Sequence, residues 1–250
     1  MLVPLSPILS GPPAASIDDV VRVMTAIDTA LAPTDGLWWF NHLYLQVTLN
    51  VRTAMTATAF NDAAFLERLD IVFANMYFDA VAAGEGDAGA APPAWRPLLA
   101  ARTAADLHPL QFALAGMNAH INRDLPAGIV TVFEQLGGTP RPSDVRHDDF
   151  ERVNAILEVV EAQIKGEFST GVVGKIDAIG GPIDDRVAMW SVRAARATAW
   201  TNAQVLWSLK RKPALRHDYF DRLDRFTGFA ARGLLLPIAR TQDVNGGKER

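Results

Sequence analysis

The chain has 250 residues, with 24 Lys plus Arg against 28 Asp plus Glu, a formal net charge of −4 and no Cys. Apolar residues at 49% and charged residues at 21% fit a globular chain and exclude disorder and collagen. The missing Cys excludes a disulfide scaffold, a thiolate zinc finger and a cysteine nucleophile. The mildly acidic balance argues against a nucleic-acid binder, and no run approaches the roughly 18 apolar residues of a membrane span.

Residues 1–15 are apolar but lack a basic stretch, and their prolines break any signal-peptide helix. They read as an arm on the surface of a cytoplasmic protein. Ser16 then caps the run IDDVVRVMTAIDTAL, with Asp18 and Asp19 at the positive end of the helix dipole. Pro33 and Gly36 punctuate. Helices follow over 37–58 and over 62–83, the second capped by Asn61. Residues 84–94 are small and polar and read as a flexible loop, with a shorter helix over 95–105 beyond it.

Pro109 opens a helix that runs through Asn122, and Pro126 predicts a kink or break near Asp124. Helix resumes to Leu136 and ends at Gly137, Gly138, Pro140 and Pro142. Ser143 caps a helix over 144–166. A Gly-rich stretch over 171–182 accommodates a short helix at 172–178. A long helix over 183–210 stops at Pro213, a last one covers 214–235, and 241–250 is a frayed tail. Clean period-two runs with hairpin turns are absent. The pattern predicts an all-α single domain, a bundle of about eight helices around a central apolar hairpin of 37–58 and 62–83.

The informative residues are polar ones on faces that otherwise read as core, because burying them unpaired is costly. In WWFNHLYLQVTLNV, Asn41, His42 and Gln46 interrupt an apolar helix, with His42 either a satisfied core histidine or a base. In PLQFALAGMNAHINRDLP, His120 and Asp124 stand at i and i+4, the spacing of two-residue metal clamps. Asn118 and Asn122 form a second such pair, and Gly116 leaves room for a neighbouring chain. A capping network at a helix end is the structural alternative.

In HDDFERVNAILEVVE, Asp149, Glu151, Asn154 and Glu158 form either a solvated acidic stripe or part of a carboxylate cluster. Asn75 and Asp79 interrupt IVFANMYFDA; Asp79 is either buried and paired or at the wet end of the helix. Arg186, Trp190, Arg193 and then Arg196 and Trp200 suit either a surface helix or anion binding. Phosphate-binding loops, H-E-x-x-H and G-x-S-x-G are missing, which removes support for ATPase, zincin and α/β-hydrolase readings.

The runs WWFNHLYLQVT, FLERLDIVFANMYFDA, PLQFALAGMNAHINRDLP and DFERVNAIL together resemble an uncharacterised, mainly actinobacterial family of helical proteins. The resemblance covers most of 38–161 and continues more weakly to Trp207. It implies no activity but points to His42, Asn118, His120, Asp124, Asp149 and Asn154. More distantly, His120, Asp124 and the following Pro126 are similar to a metal-binding segment of zinc-dependent phospholipase C and P1-type nucleases. The five histidines present are too few for the trinuclear site of that group. The acidic runs at Asp148–Glu151 and Asp184–Arg186 look superficially like pieces of class I terpene cyclase motifs, a fold for which this chain is short.

These readings predict an enzyme for a small, largely apolar molecule. His120 and Asp124 are the expected catalytic and metal-ligating pair, with His42 and Asp149 as further catalytic groups. Trp39, Asn118, Asn154 and Arg193 are the expected substrate contacts. Zn²⁺, Fe²⁺ or Mn²⁺ suits such donors and supports hydrolysis of a phosphoester-like bond. Two alternatives stand beside it: a metal-free cyclase or isomerase using a His–Asp acid/base dyad, and a non-catalytic ligand-binding bundle. The expected partner is a small molecule, not nucleic acid, and a homodimer is compatible with the sequence.

Overall fold

The computed structural model describes residues 2–57, 60–170 and 191–237. The N-terminal segment is mostly exposed and is anchored at two points. It carries helix α1 (Ser6–Leu9), and Leu5 and Ala14 are buried against the first core. The Leu5 N–H donates to Glu85, and Ala14 exchanges both its backbone groups with the Asn75 amide at 2.9 Å each. Burial of these two apolar side chains fixes the segment while Leu2 and Val3 stay exposed.

Helix α2 (Ile17–Ala30) starts as expected, the Ser16 hydroxyl accepting from the Asp19 N–H at 3.1 Å. Helix α3 (Gly36–Ala57) starts at Asp35, whose carboxylate accepts from the Leu37 N–H and is held by Arg102. Helix α4 (Ala63–Ala83) is capped by Asp62, not Asn61; Asp62 accepts from the Phe65 N–H at 2.9 Å. Residues 84–94, expected to be a flexible loop, contain a 3₁₀ turn (Ala88–Ala90) and are pinned where the Ala94 N–H donates to Asp224. Helix α5 (Arg96–Ala101) follows.

Helix α6 (Pro109–Ala119) passes through one π-helical turn (His120–Asp124) into α7 (Leu125–Leu136). Here the Leu125 N–H bonds the His120 carbonyl, five residues back. Pro126 has no N–H to give the Asn122 carbonyl, and its ring would strike it in a regular α-helix. The chain widens its turn instead of kinking or breaking. Helix α8 (Val145–Thr170) starts at Asp144, which accepts from the Arg146 N–H, rather than at Ser143. Helix α9 (Val192–Ser208) starts at Ser191, in extended geometry with its hydroxyl accepting from the Ala194 N–H. The expected helices at 172–178 and over 183–190, and the tail at 241–250, lie outside the described residues. Helix α10 (Pro213–Leu234) closes the described chain.

Among the described residues there is no strand, and no helix is long and apolar enough to cross a membrane. The fold is an all-α bundle. Helices α3 and α4 face one another through rings, Phe40 to Tyr77 at 5.1 Å and Tyr44 to Phe73 at 5.8 Å. The α6–α7 run packs against both. Gly116 permits this approach: a Cβ there would stand 2.3 Å from the Phe40 ring. Gly228 does the same for α10, where a Cβ would lie 2.3 Å from the Pro93 carbonyl oxygen. One apolar core joins α2, α3, α4, α5 and α6; a second joins the far ends of α3 and α4 to α7, α8 and α9. The π turn lies between them.

Candidate functional site

His120 is the centre of an aromatic box. Its ring stacks on Phe73 with centroids 3.4 Å apart and planes 8° from parallel. Tyr44, Phe40, Trp95 and Tyr77 surround it at 4.6 to 6.1 Å. Helix α3 contributes Phe40 and Tyr44 one turn apart, and α4 contributes Phe73 and Tyr77 with the same spacing, so each pair shares a face. The His120 residue is 3% exposed.

Its Nδ1 lies 3.1 Å from Asp124 Oδ2, one turn on. Asp124 is fully buried and also accepts from Trp95 Nε1 at 3.0 Å and from Arg123. A carboxylate held by donors on all sides takes the imidazole proton as a donor too, which assigns Nδ1–H to His120 and leaves a lone pair on Nε2. That Nε2 is buried and has no hydrogen-bond partner. Burial lowers the His120 pKa, against the raising pull of Asp124, so the ring is a neutral base at pH 7. Arg123 continues outward, its Nε donating to Asp224 Oδ2 at 3.2 Å. Asp224 in turn accepts the Ala94 N–H at 2.7 Å. Loop, π turn and α10 are thus locked around Asp124.

Two more buried polar atoms near His120 lack a partner. One is the Tyr44 hydroxyl. The other is Asp70 Oδ2, on α4 one turn before Phe73 and so on the face that carries the stacked ring. Burial raises the Asp70 pKa from 3.8 to about 7. Burial, followed by the charges of Asp70 and Asp124, pushes the Tyr44 hydroxyl upward. Tyr77 beside them is satisfied, donating to Asn41 Oδ1 at 3.2 Å. Four buried side-chain atoms lack partners among the described residues: His120 Nε2 and the Tyr44 hydroxyl in the box, Asp70 Oδ2 further along α4, and Trp200 Nε1 in the second core. Each unmade bond costs about 1–3 kcal/mol, a cost that a bound ligand or water relieves.

Of the residues expected at the site, only His120 and Asp124 come together there. His42 lies on the opposite face of α3 from Tyr44, stacked on Trp38 at 4.5 Å and paired with Asp28 of α2. Asp149 anchors the start of α4, accepting from Asn61 Nδ2 at 3.0 Å and the Asp62 N–H at 2.7 Å. Asn118 donates to the Thr227 carbonyl and ties α6 to α10. Asn154 accepts from the buried Arg196 at 2.7 Å, and Arg193 pairs with Glu158 at the surface. Trp39 donates to the Pro33 carbonyl at 2.8 Å. Asp79, weighed as a buried group, is exposed.

Tyr44, Asp70 and Trp95 are not among the residues expected at the site. The usable signal for Asp70 was its position three before Phe73 in an apolar helix. Trp95 had none, because its contact with Asp124 spans 29 residues of chain. Nor do donors for a metal assemble. Asp124 is committed to three donors, so the expected clamp presents a single free ligand atom, Nε2. Among the described residues no group of three or more His, Cys, Asp or Glu could hold a metal ion.

No curated protein and no solved structure matches the chain. A model of a family of unknown function, DUF5995, matches residues 17–237 and so runs from the start of α2 through the aromatic box to beyond the end of α10. The chain belongs to the DUF5995 family.

Proposed function

We propose that this chain is an acid–base enzyme that moves a proton on a small, largely apolar molecule bound in the aromatic box. The observation that carries this reading is the buried, unpartnered Nε2 of His120. His120 is the base. Asp124 is a positioning residue that fixes the tautomer and stabilises the imidazolium formed when Nε2 takes a proton. Trp95 and Arg123 hold Asp124 in place. The rings exclude water and position the substrate. This is the isomerase or cyclase reading of the dyad. Metal-dependent hydrolysis of a phosphoester-like bond has only the one free nitrogen in its support.

The test is ¹⁵N NMR of the imidazoles in the full chain against a library of small alicyclic and aromatic compounds. The expected spectrum shows His120 as the Nδ1–H tautomer, with Nε2 shifting on ligand addition. In any turnover found, His120→Gln should lower the rate about 10²–10⁴-fold. An Nε2 resonance that no compound moves, in a folded protein, sinks the reading.

A further inference from the structure

One end of the bundle gathers positive charge that no carboxylate answers. Helices α7 and α9 end there, and α8 and α10 begin there. Contacts fix this joint. Arg216 of α10 pairs with Glu134 of α7 at 2.9 Å, Gln204 of α9 donates to the Pro140 carbonyl at 3.1 Å, and Arg146 of α8 donates to the Gly137 carbonyl at 2.6 Å. Lys210, Arg211 and Lys212 make the connection from α9 to α10 and are exposed, as is Arg141 beyond α7. Lys210 lies 3.9 Å over the Trp207 ring. On the neighbouring surface each exposed arginine has its acid: Arg193 has Glu158, Arg222 has Asp218 and Arg225 has Asp221. Among the described residues no carboxylate pairs with Lys210, Arg211, Lys212 or Arg141. These four cations outweigh Asp148, the exposed acid in the first turn of α8.

Apolar side chains stand at the same joint. Leu136 at the end of α7 is 43% exposed, and Val145 and Leu215 near the starts of α8 and α10 are each 53% exposed. The Glu134–Arg216 pair holds the chain beside both leucines, and the Arg146 bond to Gly137 does the same for Val145 and Leu136. We propose that this end of the bundle docks on an anionic lipid surface. Leu136, Val145 and Leu215 enter the headgroup boundary, and Lys210, Arg211, Lys212 and Arg141 lie against the lipid phosphates and carboxylates. Apolar insertion and charge attraction act together, which is what reversible binding to a bilayer requires of a protein without a membrane span. A nucleic acid would use the cations but gain little from three aliphatic side chains set among them. The chain as a whole carries a net charge of −4, so an anionic surface repels it in other orientations and the patch also fixes which end meets the lipid. The proposal does not depend on the acid–base reading of His120.

The test is co-sedimentation of the full chain with vesicles of phosphatidylcholine, either alone or with about 30 mol% phosphatidylserine. The expected result is binding to the anionic vesicles only, weakening as salt rises from about 0.05 to about 0.5 M. Replacing Lys210, Arg211 and Lys212 together by Ser should weaken binding about a hundredfold, at about fivefold for each cation. Leu136→Ser and Leu215→Ser should each weaken it about fivefold. Phe229→Ser is the control. Phe229 is 70% exposed but lies about 20 Å along α10 from Leu215, so its loss should change nothing. All the replaced side chains are exposed, and thermal melts check that each variant is folded. Equal binding to both kinds of vesicle, binding to neither, or full binding by the triple variant overturns the proposal. Tighter binding to duplex DNA than to the anionic vesicles, lost in the triple variant, assigns the cations to nucleic acid and overturns it as well.

Discussion

His42 and His120 each reach an aspartate through Nδ1 at 3.1 Å and each stack on an aromatic ring. Their surroundings differ. The His42–Asp28 side chains are 27% and 24% exposed and join two helices, α2 and α3. The His120–Asp124 side chains are 3% and 0% exposed and stand one turn apart on a single run of helix. The first pair is open to water. In the second, every partner must come from the protein, and Asp124 has three while His120 Nε2 has none. A His–Asp contact alone is therefore a poor marker of chemistry. The second ring nitrogen, and whether anything answers it, separates a surface clasp from a poised base.

The sharpest test of that contrast removes each aspartate in turn. Asp124→Ala strands Trp95 Nε1, the His120 N–H and the Arg123 guanidinium in the core and should cost about 3–5 kcal/mol. Asp28→Ala should cost less than about 1 kcal/mol. Urea denaturation of both variants checks this, and equal losses would erase the distinction. A second test concerns Asp70. Its carboxyl binds a proton more tightly in the folded chain, at about 7 against 3.8 for an ordinary group. Stability on this account is full below pH 4 or so and is lost as pH rises through about 7. Asp70→Asn should therefore add about 2–4 kcal/mol at pH 8 and nothing near pH 4. A gain in melting temperature that does not grow with pH would contradict the burial of that carboxyl. A third test is at Gly116. A methyl group there would press on Phe40, at about 1–3 kcal/mol, and push that ring away from His120. Urea denaturation and the His120 ring shifts report the two parts separately.

Much of the scaffold was legible in the sequence. Ser16 and Pro109 mark helix starts by backbone chemistry that acts locally, Pro213 marks the break between the last two helices, and Gly116 announced a close approach. The His120–Asp124 pair was legible because both partners lie on one turn. The rest of the site was not, for a physical reason. Asn118, Asp149 and Asn154 look in one dimension like Asp70: each is a polar residue on an apolar face. Three of the four found partners on other helices, and only the docking of α3, α4 and α6 determines which one did not. The caps at Asp62 and Asp144 show the same limit on a smaller scale, since adjacent Asn, Asp and Ser residues compete for one position and tertiary partners choose among them.

The π turn is also a phase shift. One residue inserted into an α-helix rotates everything after it by about 100° about the helix axis. Phe112, Ala115 and Ala119 before the turn face the first core, while Leu125, Ile129 and Phe133 after it face the second. A single rod can thus serve two apolar cores without a loop between them. The seam where its stripe changes sides is the π turn, and His120 and Asp124 stand at its two ends.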